Sequence, residues 1–205
     1  MTPMPINNPT RRGLLGLAGA ALAATALPLP AFALSDAEAK SLIDTALGEV
    51  YRVINSGKPE AAMFKDFEAI FTKYADVNTI ARSALGVAAR STSAKDLADY
   101  TLAFRGYIGR KYGRRFRDFI GSKIEVTGAR KVKTFWEVKS IAHLKGEAPF
   151  ETLWHVSDKS GKNLFFNIII EGVNMLAAER SEVGAMLDAN KGDIRGLIAT
   201  LQKSG

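Results

Sequence analysis

Beyond residue 34, hydrophobic positions recur every three or four residues through the first half of the chain. They then recur every second residue through most of the rest, which predicts helices, then strands, then helices again. Ser35-Asp36-Ala37-Glu38 has the S-x-x-E form of a capping box. Ala39, Leu42, Ile43, Ala46, Leu47, Val50, Val53 and Ile54 follow on one face and predict a helix closing near Asn55-Ser56-Gly57. Phe64, Phe67, Ile70, Phe71 and Tyr74 predict a second helix, and Val77 through Ile80, Ala81, Ala84 and Leu85 to Gly86 a third. After a cap pattern at Ser93, a long helix carries Leu97, Tyr100, Phe104, Tyr107, Ile108, Tyr112, Phe116 and Phe119.

From Ser122 the period is two, and Gly128, Gly146 and Ser160-Gly161 read as turns between strands near 123–128, 131–143, 148–158 and 163–171. Alternate positions sort into two faces. Ile124, Val126, Val132, Trp136, Val138, Phe150, Trp154, Val156, Leu164, Phe166, Ile168 and Ile170 form the dry one; Glu125, Lys131, Lys133, Glu137, Lys139, Glu151 and His155 form the wet one. The fourth strand departs from this rule, because Phe165 and Ile169 fall on the charged side. A helix over 174–189, with Met175, Leu176, Val183, Met186 and Leu187, supplies the cover they need. A last helix carries Ile194, Leu197, Ile198 and Leu201. The expected fold is α+β, with helices around a four-stranded antiparallel sheet.

The first 33 residues have a different character. Thr10-Arg11-Arg12-Gly13-Leu14-Leu15 leads into an Ala- and Gly-rich stretch and then Ala31-Phe32-Ala33, which reads as a cleaved signal peptide. The paired arginines suit twin-arginine export, with an ordinary Sec signal as the alternative. The apolar run, about 14 residues, falls short of the roughly 20 that span a bilayer. Cleavage after Ala33 leaves 34–205 as a single domain and, by removing Arg11 and Arg12, lowers the net charge from +7 to +5. The chain has no cysteine, which excludes disulfides, thiolate metal sites and a lipidated N-terminal Cys.

Enzyme signatures are missing: there is no G-x-S-x-G elbow, no P-loop and no pair of histidines at ligand spacing. His143 and His155 fall on the wet face and read as surface side chains, so no catalytic residue, metal or cofactor is expected. Arg105, Arg110, Lys111, Arg114, Arg115 and Arg117 crowd one segment among Tyr107, Tyr112 and Phe116. An exported protein rarely meets nucleic acid, so the stripe is either a solvated helix face or a patch for an anionic membrane surface, a lipid phosphate or an acidic partner.

Glu171-Gly172-Val173-Asn174-Met175 is followed by Glu182, Gly184, Leu187, Lys191-Gly192, Gly196-Leu197 and Leu201. Phe71-Thr72-Lys73-Tyr74-Ala75-Asp76-Val77, Ile80-Ala81, Leu85-Gly86, Phe104 and the segment from Tyr107 to Tyr112 precede it. In order and spacing, from about residue 60 onward, these groups resemble the MlaC family. Its members are periplasmic phospholipid-binding proteins of the toluene-tolerance type that serve an ABC lipid-transport system. The chain departs from the pattern at Asn174, where Ser is usual, at Asn167, where Asp is common, and at Asn163, where a Trp usually begins the strand.

The resemblance implies an NTF2-like cone, a curved antiparallel sheet and helices enclosing a deep apolar pocket for acyl chains. Its implied partners are a phospholipid, an inner-membrane MCE-type ABC transporter and an outer-membrane lipoprotein complex. A hopanoid or other polycyclic lipid is an alternative cargo, by likeness to the HpnM branch. The candidate walls are Phe67, Phe71, Phe104, Ile108, Trp136, Val138, Trp154, Val156, Phe166, Ile168 and Ile170. Arg105, Arg110, Arg114 and Arg180 are candidates for the head group or a partner. Two rivals stand beside the carrier. An NTF2-like enzyme would bury an acid or base in its pocket, and a plain interaction module would have a filled core.

Overall fold

Ser35 opens the first helix as its spacing predicts. Its hydroxyl accepts the Glu38 N–H at 3.3 Å while the Glu38 carboxylate accepts the Ser35 N–H at 2.8 Å, heading α1 (Asp36–Ile54) with a closed capping box. The structure, a computed structural model, describes residues 34–115 and 119–205. The expected signal peptide lies outside the described residues, as do Phe116 and Arg117. Among the described residues follow α2 (Glu60–Tyr74), α3 (Val77–Leu85), α4 (Ala94–Arg115), α5 (Met175–Ala189) and α6 (Ile194–Lys203). The periodicity does not anticipate the 3₁₀ turn Gly86–Arg90, which starts at a Gly with φ +67° and ψ −135°, a conformation that a Cβ resists. No helix of the described residues is long and apolar enough to cross a membrane.

The sheet is an antiparallel meander of β1 (Lys123–Val132), β2 (Phe135–His143), β3 (Phe150–Ser157), β4 (Leu164–Ile170) and β5 (Val173–Asn174), in that order. It therefore has five strands rather than the expected four. Glu171 (φ 49°) and Gly172 (φ 80°) make a two-residue turn that folds Val173 and Asn174 back onto Ile170 and Ile169. A two-residue strand is too short to leave a period in the sequence. Asn174 then caps α5, accepting the Ala177 N–H at 3.1 Å.

Two register slips overturn part of the two-face reading. Gly128 lies inside β1 rather than at a turn: pairing slips between Val126 and Gly128, and the chain reverses at Lys133, whose φ is 52°. Past the slip Ala129 opposes Val138 and Lys131 opposes Trp136, so Lys131 takes the inner position assigned to Val132. The second slip follows His155, which opposes Asn167, whereas Val156 opposes Phe165, leaving Phe166 as the extra residue. Phe165 turns inward, edge-on to Trp154 at 5.4 Å and 6.3 Å from Phe71. Phe166 instead meets Phe135 at 5.5 Å and His155 at 5.7 Å on the other face. Leu164, opposite Ser157, leaves the inner face as well.

The interior has two buried clusters. The larger joins all six α-helices, α2 through Tyr74, to the sheet around Tyr100, Phe104, Tyr107, Leu197, Val138 and Val156; the smaller holds Val50, Ile54, Met63 and Phe67 of α1 and α2. Tyr51 and Ile70, half-buried, pack against both. Glycines let α2 approach α4 closely: a Cβ on Gly109 would lie 3.2 Å from the Glu68 Cα, and one on Gly113 2.7 Å from the Phe64 ring.

Candidate functional site

The inner face of the sheet is built by register. Val138 opposes Trp154, which opposes Ile168; Trp136 opposes Val156; Ser140 opposes Thr152, which opposes Ile170. Val138 and Val156 are fully buried, whereas Trp136, Trp154, Ile168 and Ile170 are only half-buried although they face the helices. Polar atoms on this wall are satisfied locally. The Trp154 indole N–H donates to the Ser140 hydroxyl at 2.9 Å, Ser140 and Thr152 share a 2.5 Å hydrogen bond, and the Trp136 indole N–H donates to the Leu34 carbonyl at 2.6 Å.

Of the expected walls, Trp136, Val138, Trp154, Val156, Ile168 and Ile170 share this face, and Phe71 reaches it through Phe165. Phe104 and Ile108 are buried in the larger cluster and Phe67 in the smaller one. Phe166 stands on the opposite face, where the bulge puts it. Phe165, which replaces it, carries no sequence signal, because period-two reading has no means of locating a bulge.

Two depressions run as open grooves along α1. One, about 430 Å³, lies between α1 and α2 over Val53, Ala69 and Ile70, with Arg52 and the ion pairs Lys58–Asp66 and Lys73–Glu49 at its rim. The other, about 280 Å³, lies beside Leu42 and Tyr74. Neither is an enclosed cavity, and helices cover the inner face of the sheet.

The outer face is less wet than its charges suggest. The reading of His155 as a surface side chain is corrected: it is 13% exposed, 4.6 Å from the Phe135 ring. Its Nε2 faces the Glu137 carboxylate at 3.4 Å and its Nδ1 the Asn167 amide nitrogen at 3.4 Å; Arg130 in turn donates to Glu137 at 2.6 Å. Asn167 is oriented by its Oδ1, which accepts the Ile168 N–H at 2.9 Å and the Leu176 N–H at 3.1 Å. The network thus assigns a neutral ring with its proton on Nε2, since a second proton on Nδ1 would oppose the Asn167 N–H.

Burial lowers the His155 pKa, outweighing the opposing pull of Glu137. The unfolded chain therefore binds more protons below the ordinary histidine pKa of about 6.5, and stability falls as pH falls through that window. Melting temperature is expected to drop between pH 7 and pH 5, above the range where carboxylates titrate. His155→Gln is expected to flatten that slope; an unchanged slope would place its origin elsewhere.

Much of the basic stripe is bound within the protein. Arg105 donates to Glu68 at 2.8 Å, Arg110 donates to the Leu201 and Ser204 carbonyls at 2.6 and 2.9 Å, and Arg114 lies over the Phe64 ring. Arg180 packs against Gly86. Lys111 bridges Glu179 (2.7 Å) and Glu182 (2.5 Å), which also accept from Tyr112 and Tyr107, each at 2.6 Å; burial pushes both phenol pKa values far up. Sequence inspection missed this network, because its acids and bases are some 70 residues apart. Among the described residues no group of three or more His, Cys, Asp or Glu side chains is placed to hold a metal ion.

The family model described as "MlaC protein" matches residues 44–203. Among solved structures, the fold is similar to that of a phospholipid-binding protein from Ralstonia solanacearum, solved in complex with a phospholipid. The TM-score is 0.69 at 16% identity, over 82% of this chain and 96% of that one. Comparison with curated protein sequences finds no relative.

Proposed function

The chain belongs to the MlaC family, and from that premise we propose that it is a soluble periplasmic lipid carrier without catalytic activity. It would shield phospholipid acyl chains between its sheet and helices and shuttle them between the outer and inner membranes. Its partners would be an outer-membrane lipoprotein complex and an inner-membrane MCE-type ABC transporter. The observation that carries the reading is the inner sheet face, where Trp136, Trp154, Ile168 and Ile170 are apolar, turned toward the helices, and still half-buried. The ligand of the Ralstonia protein adds support by analogy of fold.

The physical need is large. Wetting two acyl chains of roughly 15 methylenes each costs on the order of 24 kcal/mol at about 0.8 kcal/mol per methylene, so monomer diffusion through water is negligible. A carrier must supply an apolar interior, and few hydrogen bonds. The acids and bases on the sheet favour this over an enzyme. Glu137 and His155 are on the outer face, and the polar groups at the centre of the inner face are the hydroxyls of Ser140 and Thr152.

Export fits the contacts of Leu34. Cleavage after Ala33 would give Leu34 an α-ammonium at the position from which its nitrogen now donates to Asp158 at 3.2 Å, while Trp136 holds its carbonyl. Protein purified gently from its own periplasm is expected to carry lipid extractable by organic solvent, with mass identification separating glycerophospholipid from hopanoid. Native mass spectrometry giving the apo mass alone, with no binding of a fluorescent fatty acid, would overturn the carrier reading.

A further inference from the structure

The helical stripe of α1 containing Ser41, Leu42, Thr45, Glu49, Arg52 and Val53 lines both grooves, and its spacing of three and four residues makes it one continuous face. Glu49 and Lys73 line the larger groove and Tyr74 the smaller, and the Glu49 carboxylate accepts from the Tyr74 hydroxyl at 2.9 Å and from the Lys73 ammonium at 2.7 Å. The Lys73 side chain is 60% exposed, and such a solvated ion pair is readily broken. The other side of α2 is different: the Gly109 and Gly113 contacts seat it tightly on α4, with Arg105 bonded to Glu68 across the junction. Beneath the seam each of the two buried clusters draws residues from both α1 and α2, and the half-buried Tyr51 and Ile70 pack against both clusters.

We propose that the seam between α1 and α2 is the portal of the carrier, through which acyl tails pass when the contact of Glu49 with Lys73 and Tyr74 opens and α1 parts from α2. This rests on the carrier reading. The 430 Å³ groove is open to solvent and well short of the roughly 1,000 Å³ at the upper end of ligand cavities, where two long tails belong, so the groove as it stands does not hold them and loading requires α1 and α2 to part. Widening at the seam breaks the Glu49 contacts over an existing groove and opens the small cluster of Val50, Ile54, Met63 and Phe67, whereas widening between α2 and α4 would break the close contacts at Gly109 and Gly113 and the bond from Arg105 to Glu68. A lipid phosphate passing the rim meets Arg52 and Lys73, beside Lys58 paired with Asp66 at 2.6 Å, and can replace Glu49 as the partner of Lys73. The apolar floor of Val53, Ala69 and Ile70 then leads the tails inward.

The absence of cysteine makes a clean test available. The pair Glu49→Cys and Lys73→Cys, joined by a short reducible bismaleimide, clamps α1 to α2; Asp96→Cys with Arg195→Cys, joined alike, clamps α4 to α6 and serves as control. Uptake of a fluorescent phospholipid from phosphatidylethanolamine and phosphatidylglycerol vesicles is expected to slow at least tenfold in the α1–α2 clamp. It should recover on reduction of the same sample and be unchanged in the control. An α1–α2 clamp that loads as fast as its reduced form overturns the portal while leaving the carrier intact. If neither the unmodified protein nor any reduced variant takes up lipid, the carrier reading fails and the portal fails with it.

Discussion

Replacing Ile168 by aspartate is expected to empty the carrier, whereas the same change at Ile169, one residue along, leaves lipid in place. Both side chains are half-buried on β4, so their general cost to stability is similar. Ile168 opposes Trp154 on the inner face, while Ile169 opposes Leu153 on the outer. A carboxylate at 168 would meet hydrocarbon tails on a face now occupied by Ile, and burying an unpaired charge costs several kcal/mol. Even a loss of about 2 kcal/mol lowers lipid affinity roughly 30-fold. Lipid extracted per mole of purified protein, read with the melting temperature of each variant, checks the contrast. Equal loss in the two variants would mean that the inner face has no special part in binding.

Lys111→Met is expected to be among the most destabilising exchanges on the molecule. Glu179 is 3% exposed; its Oε1 holds the Lys111 ammonium and the Tyr112 hydroxyl, and its Oε2 accepts no hydrogen bond from the described residues. Without Lys111 the carboxylate is left between α4 and α5 with a single donor. Removing one partner of such a pair costs about 3 kcal/mol, which for a domain of this size lowers the melting temperature by roughly 6–12 °C. Glu179→Gln is expected to cost only about 1 kcal/mol, since Lys111 keeps Glu182 and Tyr112 keeps an acceptor. The double variant should recover much of the loss, because no charge is then stranded. A melting temperature for Lys111→Met within a degree of the parent would contradict this account.

The helices were legible because each is amphipathic over several turns and most carry a side-chain signal at the start: Ser35, Asp76, Asn174 and Asp193 all accept hydrogen bonds at N-caps. Strand existence was legible for the same reason, with hydrophobic positions alternating over seven to ten residues. Facing was legible only up to the first bulge in each strand. Thr127 and Phe166 each add one residue against one on the partner, and every side chain beyond changes side. Six of the eleven expected wall residues lie on the inner face because β2, β3 and the far end of β4 run without interruption.

By itself, the chain's pattern determined the α+β class, the order and approximate ends of the helices, and the family, all of which depend on residues close in sequence. Tertiary structure alone decided that Phe165 rather than Phe166 points inward and that His155 is largely shielded between the Phe135 and Phe166 rings. It also decided that Arg105, Arg110 and Lys111 are held by Glu68, the end of α6 and α5. Those outcomes depend on which partner an atom meets across the fold, and neither hydrophobic period nor residue type carries that pairing. The seam beside α1 belongs to the same class: it is set by the different fit of α2 to its two neighbours, which appears only when the three helices are packed together.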